Sequence, residues 1–406
     1  MSGAGLRRRL GVADAVVVGL GAMLGAGVFA VFAPAARVAG SGLLPALALA
    51  GLVAYGNATS SARLAARYPS SGGTYVYGRE RLGPFWGYLA GWGFVVGKTA
   101  SCAAIALTFA TYAVPAHPRP VAVVAVLGLT ALNYVGVQRS LAATRVLVAA
   151  TLATLALVVV AGFTAPAHPV GGPGTGPHAV LQAAGLLFFA FAGYARVATL
   201  GEEVRDPART IPRAIPLALG LTLAAYLLVA LAALRGLGPD GLAAAADPLR
   251  AVVAAGDLHA AAPVVRVGAA LATLGSLLAL LLGVSRTTLA MARDRNLPPA
   301  LAAVHPRFAV PHRAEVALGL VVAVLVATVD LRGAIGFSSF AVLTYYAIAN
   351  ASALTLPASK ALPLVGLTGC VLLAVNLPWP SAVAGAGVIA VGAAIWAVRQ
   401  RASGRR

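Results

Sequence analysis

Carboxylates are scarce in this chain: eleven Asp and Glu stand against thirty Lys and Arg, for a formal net charge of +19. Charge of either sign is sparse, at 10% of residues, where a soluble domain carries about 25%. With 60% of 406 residues hydrophobic and a mean hydropathy of +0.89, a soluble fold is excluded and no separate soluble domain has room. Cysteine is nearly absent. Cys102 and Cys370 both fall inside apolar runs, so neither a disulfide framework nor a metal site is indicated. The six histidines (His117, His168, His178, His259, His305, His312) are scattered over loops without metal-ligand spacing. The carboxylates, Asp14, Glu80, Glu202, Glu203, Asp206, Asp240, Asp247, Asp257, Asp294, Glu315 and Asp330, lie at or beyond the ends of apolar runs. An intramembrane enzyme needs clustered acids or His ligands near a membrane face, so no catalytic residue is assigned.

Apolar runs are what the chain has in abundance. Twelve of spanning length fall at roughly 12–37, 43–64, 83–113, 120–136, 142–164, 179–200, 213–235, 263–290, 314–330, 334–356, 361–377 and 380–398. The strong positive charge could suggest nucleic acid, but the basic residues cluster at alternate ends of these runs, where they set topology. With the N-terminus placed inside, six fall on the outer face: Arg37, Arg119, Arg235, Arg250, Arg266 and Arg332. Three lie in or beside spans (Lys98, Arg196, Arg286), and the other 21 fall inside. Both termini are therefore expected in the cytoplasm. Arg7-Arg8-Arg9 before the first run resembles a signal peptide, but that run is too long for one and opens a series, so it is expected to be retained.

The first run carries a flaw at its centre. Gly21-Ala22-Met23-Leu24-Gly25-Ala26-Gly27-Val28-Phe29 sits midway along an uncharged stretch from Ala15 to Ala36. Each glycine weakens the helix by about 1 kcal/mol relative to alanine. In lipid, non-helical backbone is tolerated only where protein buries it or a cavity hydrates it. A break here aims free N–H groups at that cavity, which suits a carboxylate. A small-residue packing face, with Gly21 and Gly25 four apart, reads equally well from this segment alone. The sixth run tips the balance. Phe188-Phe189-Ala190-Phe191-Ala192-Gly193-Tyr194-Ala195-Arg196 is also interrupted near its middle, five runs after the first. That is the pointer to two inverted five-helix repeats with a substrate site at the interruptions.

With these segments go Arg67-Tyr68-Pro69-Ser70-Ser71-Gly72-Gly73-Thr74-Tyr75 after the second run and Glu202 to Ile215 after the sixth. Ser285-Arg286 and Ala290-Met291-Ala292-Arg293-Asp294 close the eighth. In order and spacing they resemble the amino acid–polyamine–organocation superfamily of permeases over nearly the whole chain. The resemblance implies an all-α polytopic fold, a leucine-transporter-type core of ten helices plus two, working by alternating access. One transmembrane domain, 1–406, then divides into a first repeat at 12–164, a second at 179–356, and two further helices at 361–398. It also implies that substrate carboxylate is held by backbone amides around Gly25, Ala26 and Gly27. Substrate ammonium would be held by carbonyls of Met23, Phe189 and Ala192, beside Gly193. Phe189 stands where the family often keeps an aromatic gate, and packing alone would also account for it. The charged stretch from Glu202 to Arg213 is either a solvated loop or part of an inner gate, its Pro207 and Pro212 bracketing a turn.

Many members carry a fifth-span lysine at a cation position; alignment from Gly136-Val137 puts Thr151 there. Lys98, mid-span in the third run, is the alternative cation and proton carrier, at an insertion cost of about 2.5–3.5 kcal/mol; pairing with carbonyls would also account for it. Arg196 is a gating candidate, expected to neutralise Glu202 or Glu203 or to restrict the exit. Ser285, with Thr287 and Thr288, offers hydroxyls at the end of the eighth run that would line a sodium site. No cofactor is implied beyond a proton or sodium gradient. The expected substrate is a neutral amino acid, since no acid was placed at the midplane. A cationic amino acid or polyamine antiporter is one alternative, and an amino-acid sensor without transport is another. The bilayer and the amino acid are the partners, and oligomeric state is left open.

Overall fold

The described residues of the apolar runs, numbered below as spans only by their order in the sequence, are helical in the computed structural model, which describes residues 10–68, 72–136, 141–170, 176–198 and 204–403. The first span is three pieces: α1 (Val12–Met23), α2 (Gly27–Ala30) and α3 (Phe32–Ala39). The chain turns at Gly40, whose φ of 48° favours glycine, into the second span, α4 (Leu43–Arg67). A short helix, α5 (Thr74–Leu82), precedes the third span, α6 (Pro84–Ala113). The fourth and fifth are α7 (Pro118–Tyr134) and α8 (Leu141–Thr164). The sixth is α9 (Pro177–Phe191), a 3-10 turn at Ala192–Tyr194, and α10 (Ala195–Ala198). The seventh is α11 (Pro207–Ala244), broken at Gly238, and α12 (Pro248–Ala254) lies in the connection after it. The eighth to twelfth are α13 (Ala262–Arg293), α14 (His312–Thr328), α15 (Leu331–Leu354), α16 (Ala361–Asn376) and α17 (Trp379–Ser403).

Among the described residues, nine helical segments are long and apolar enough to cross a membrane. The runs at 120–136, 314–330 and 361–377 give shorter helices of 17, 17 and 16 residues. Proline opens α6, α7, α9 and α11, a position where its missing N–H costs nothing. Pro207 therefore starts the seventh helix, where the sequence suggested a turn leading into it. Large apolar side chains such as Val124, Val146, Val375 and Val398 point outward in a band suited to lipid.

Side-chain hydrogen bonds sort the span ends into two faces. On one, Arg145 meets Asp14 at 2.5 Å, Arg63 reaches Ser359 O at 2.7 Å, and Arg81 reaches Thr355 O at 2.6 Å. On the other, Arg37 reaches Ala243 O at 2.9 Å and Arg266 reaches Tyr112 O at 3.0 Å. His178 meets Asn376 there at 2.8 Å. Successive spans thus alternate in direction, with the arginine-rich ends together.

The packing partners repeat five spans on. The first span packs on the seventh, and the sixth on the second. The first packs on the fifth and the sixth on the tenth; the third on the tenth and the eighth on the fifth. The second and seventh, third and eighth, and fourth and ninth pack on each other, which the same exchange leaves unchanged.

Between the second and third spans, the glycine- and tyrosine-rich stretch leads into the helix α5; Pro69, Ser70 and Ser71 lie outside the described residues. Tyr75 Oη donates to Asp294 Oδ2 at 2.5 Å and accepts from Asn296 Nδ2 at 2.8 Å. Burial, and then the carboxylate beside it, push the Tyr75 hydroxyl up to about 12, so it remains a donor throughout the ordinary pH range. Arg79 bonds the same oxygen at 3.3 Å, but both its side chain and Asp294 are over 40% exposed, so that ion pair adds little. Tyr75→Phe is expected to loosen α5 from the end of α13. A hydrogen bond to a charged group contributes about 1.5–3 kcal/mol, so a cysteine substituted at Ile348, which lies against Gly78 of α5, should label roughly tenfold faster from this face. An unchanged labelling rate would show that α5 does not restrain it.

Candidate substrate site at two helix breaks

The first break lies between α1 and α2. Leu24 N–H is the last amide bonded into α1, to Leu20 O at 2.7 Å, and Phe29 N–H bonds onward to Ala26 O at 3.2 Å. The amides of Gly25, Ala26 and Gly27 lie between the two. The sixth-span break is milder: the helix tightens into the 3-10 turn at Ala192–Tyr194 before resuming.

These two breaks touch through their backbones. A Cβ added to Gly27 would stand 2.5 Å from Ala190 Cα, and one added to Gly193 would stand 2.3 Å from Ala22 O. Only glycine permits either approach. Gly27 and Gly193 are therefore packing residues at the breaks. Tyr226 of α11 joins the breaks from the side. Its Oη lies 2.7 Å from Met23 O and 3.2 Å from Ala190 O, with one proton to share between them. Met23 O, one of the expected ammonium ligands, thus already accepts a bond within the protein.

Ala192 O is taken as well. Lys98 Nζ donates to it at 3.2 Å and Tyr346 Oη at 3.3 Å. The Tyr346 ring stacks on Tyr194 at 4.9 Å, carrying the tenth span onto the same turn. Phe189, half-buried, packs against two apolar clusters, one of them running from Ala26 to the eighth span. Ser276 of α13 points its hydroxyl at the first break, 1.8 Å from where a Gly25 Cβ would stand. That hydroxyl is buried and has no hydrogen-bond partner among the described residues.

The amino acid permease family profile matches residues 14–377 of this chain. The chain belongs to that family. An uncharacterized transporter of Mycobacterium tuberculosis is 65% identical over 404 residues, covering 97% of this permease and 92% of its relative. Cationic amino acid transporter 7, chloroplastic, of Arabidopsis thaliana is 29% identical over 384 residues, 86% of this permease and 66% of the relative. The branched-chain amino acid permease BcaP of Bacillus subtilis is 27% identical over 419 residues, 92% and 89% respectively. The protein is an integral membrane transporter and not an enzyme.

The remaining expected residues of this permease fall in three places. Thr151 lines a narrow cleft beside the first break with Gly21, Leu24, Gly25, Leu147, Val148 and Ala272, with room for about one water. Its hydroxyl bonds Leu147 O at 2.8 Å. Lys98 meets the sixth break instead, so the two residues weighed for one cation role sit at different breaks. Ser285 bonds Leu282 O at 3.0 Å and lies with Thr288 further along α13, where Ser285 meets Glu315. The side chain of Arg196 is exposed, and its expected partners Glu202 and Glu203 lie outside the described residues.

Two features were missed. Glu315, read as an end-of-span acid, is 1% exposed and held inside the bundle, accepting from Asn133 Nδ2 at 2.8 Å. The histidines read as scattered include His305 and His312, whose rings lie 5.4 Å apart against Tyr134. A lone amide in the fourth run, Asn133, was the available hint of a polar partner across the bundle.

Proposed function

We propose that this permease is a secondary active transporter that moves an amino acid across the cytoplasmic membrane by alternating access. In this reading two inverted five-helix repeats, 12–164 and 179–356, rock around the crossed breaks, with helices at 361–398 outside them and both termini in the cytoplasm. The repeat of packing partners five spans on supports that division, and the arginine-rich face supports that orientation. Substrate carboxylate binds the amides of Gly25, Ala26 and Gly27, and its ammonium the carbonyls around Met23, Phe189 and Ala192, with Phe189 as gate. The observation that carries the proposal is the contact of the two breaks, Gly27 on Ala190 and Gly193 on Ala22. Any movement of one broken helix must shift the other.

A relative is named for cationic amino acids and another for branched-chain ones. The Lys98 ammonium on Ala192 O disfavours a cationic side chain or a polyamine here, since like charge would meet like in a dry site. Proton or sodium coupling would run through Lys98 or the hydroxyls of Thr151, Ser276, Ser285 and Thr288. Counterflow in proteoliposomes tests the reading. Saturable exchange of a labelled zwitterionic amino acid is expected. Ligand binding without exchange would make the protein a sensor, and continuous conductance would make it a channel.

A further inference from the structure

We propose that Lys98 is the counter-charge for a substrate carboxylate other than the α-carboxylate, so that the permease prefers acidic amino acids. The proposal rests on the transporter reading above and narrows its substrate.

Lys98 stands midway along the 30-residue α6 and is 7% exposed. Around it the third span is pressed onto the tenth: a Cβ on Gly97 would lie 2.7 Å from Ala341 Cβ, and Ser101 bonds Ser338 at 2.6 Å. The ammonium has three protons to donate. It gives one to Ala192 O, a neutral acceptor that Tyr346 already shares. Among the described residues Lys98 takes part in no ion pair. Of the buried acids among the described residues, Glu315 is held by Asn133 and Ser285, and Asp247 by Arg250.

A buried cation without a counter-ion is costly, and an ammonium held by carbonyl dipoles alone is only partly compensated. It lies at the sixth break, where the substrate is expected. An acidic side chain arriving there completes the pair. As it does, the ammonium turns from Ala192 O to the carboxylate and frees that carbonyl for the substrate's own ammonium. A neutral side chain offers nothing to draw Lys98 away, and a cationic one repels it. Lys98 therefore sets specificity by charge, in the manner of a lock that opens only to the opposite sign.

The test is counterflow by the reconstituted full-length protein with labelled glutamate, aspartate, leucine and arginine. The native protein is expected to exchange glutamate or aspartate at least about tenfold more efficiently than leucine, and arginine least, as pairing of a desolvated charge requires. Lys98→Met should lower the acidic-to-neutral ratio of kcat/KM by about tenfold or more, whereas Lys98→Arg should keep the acidic preference. A single symmetric peak on size exclusion shows that each variant is folded. The ratio is informative because a merely structural loss lowers all substrates together. Exchange of leucine without glutamate or aspartate overturns this proposal alone, as does an unchanged ratio in Lys98→Met. Exchange of no amino acid overturns the transporter reading and this proposal with it.

Discussion

Gly193→Val is expected to reduce exchange about a hundredfold, the largest effect of any single substitution at the breaks. The valine Cβ would stand 2.3 Å from Ala22 O, 2.5 Å from Ala22 C and 2.8 Å from Met23 N. These are backbone atoms of the other broken span, so no side chain can swing aside. Overpacking a close-packed interior costs about 1–3 kcal/mol, and a backbone obstacle belongs at the top of that range. The strain has two outlets, both harmful: either the sixth break moves off the first, or α1 unwinds further at Met23. Gly220→Ala is the matched control, since a Cβ there meets nothing within 4 Å. Exchange per folded protein and the thermal midpoint are measured for both. If Gly193→Val exchanged like the native protein, the crossing of the breaks would have no part in the transport cycle.

How far the site was legible follows from which features are local. The first break could be read because glycine weakens a helix wherever it stands, and Gly21, Gly25 and Gly27 stand together. The sixth was legible only by comparison with the first, and its form, a tightened turn at Ala192–Tyr194, depends on contacts from Lys98 and Tyr346. Burial of Lys98 followed from its place in an apolar run, but its partner did not, because helix rotation and pairing of the third span with the sixth are tertiary facts. The same gap explains the eighth span. Ser285 and Ser276 lie nine residues apart on α13, about 14 Å along the axis, and only the packed helix shows which of them faces Gly25. Glu315 stands one turn inside α14, where an acid would face the headgroups or the bundle according to a rotation the sequence does not encode locally. Asn133 across the bundle decides it.

Tyr226 gives the second large effect, and a pair of substitutions separates its two roles. The side chain is fully buried, with its ring edge-on to Phe32 at 6.3 Å and to Phe191 at 5.1 Å. One ring contact belongs to the first span and the other to the sixth, as do the two carbonyls its hydroxyl meets. Tyr226→Phe keeps the packing and removes the proton shared by Met23 O and Ala190 O. Hydrogen bonds between membrane helices average about 0.6 kcal/mol, with the strongest near 1.7, so a loss of roughly three- to twentyfold in exchange is expected. Tyr226→Ala also leaves a cavity, and truncating a buried aromatic costs about 3–5 kcal/mol. The thermal midpoint should fall far more for alanine than for phenylalanine. If the phenylalanine variant instead matched the alanine one in lost exchange while keeping its stability, the hydroxyl would be acting on the carbonyl that receives the substrate ammonium. Equal and negligible losses for both would remove Tyr226 from the site altogether.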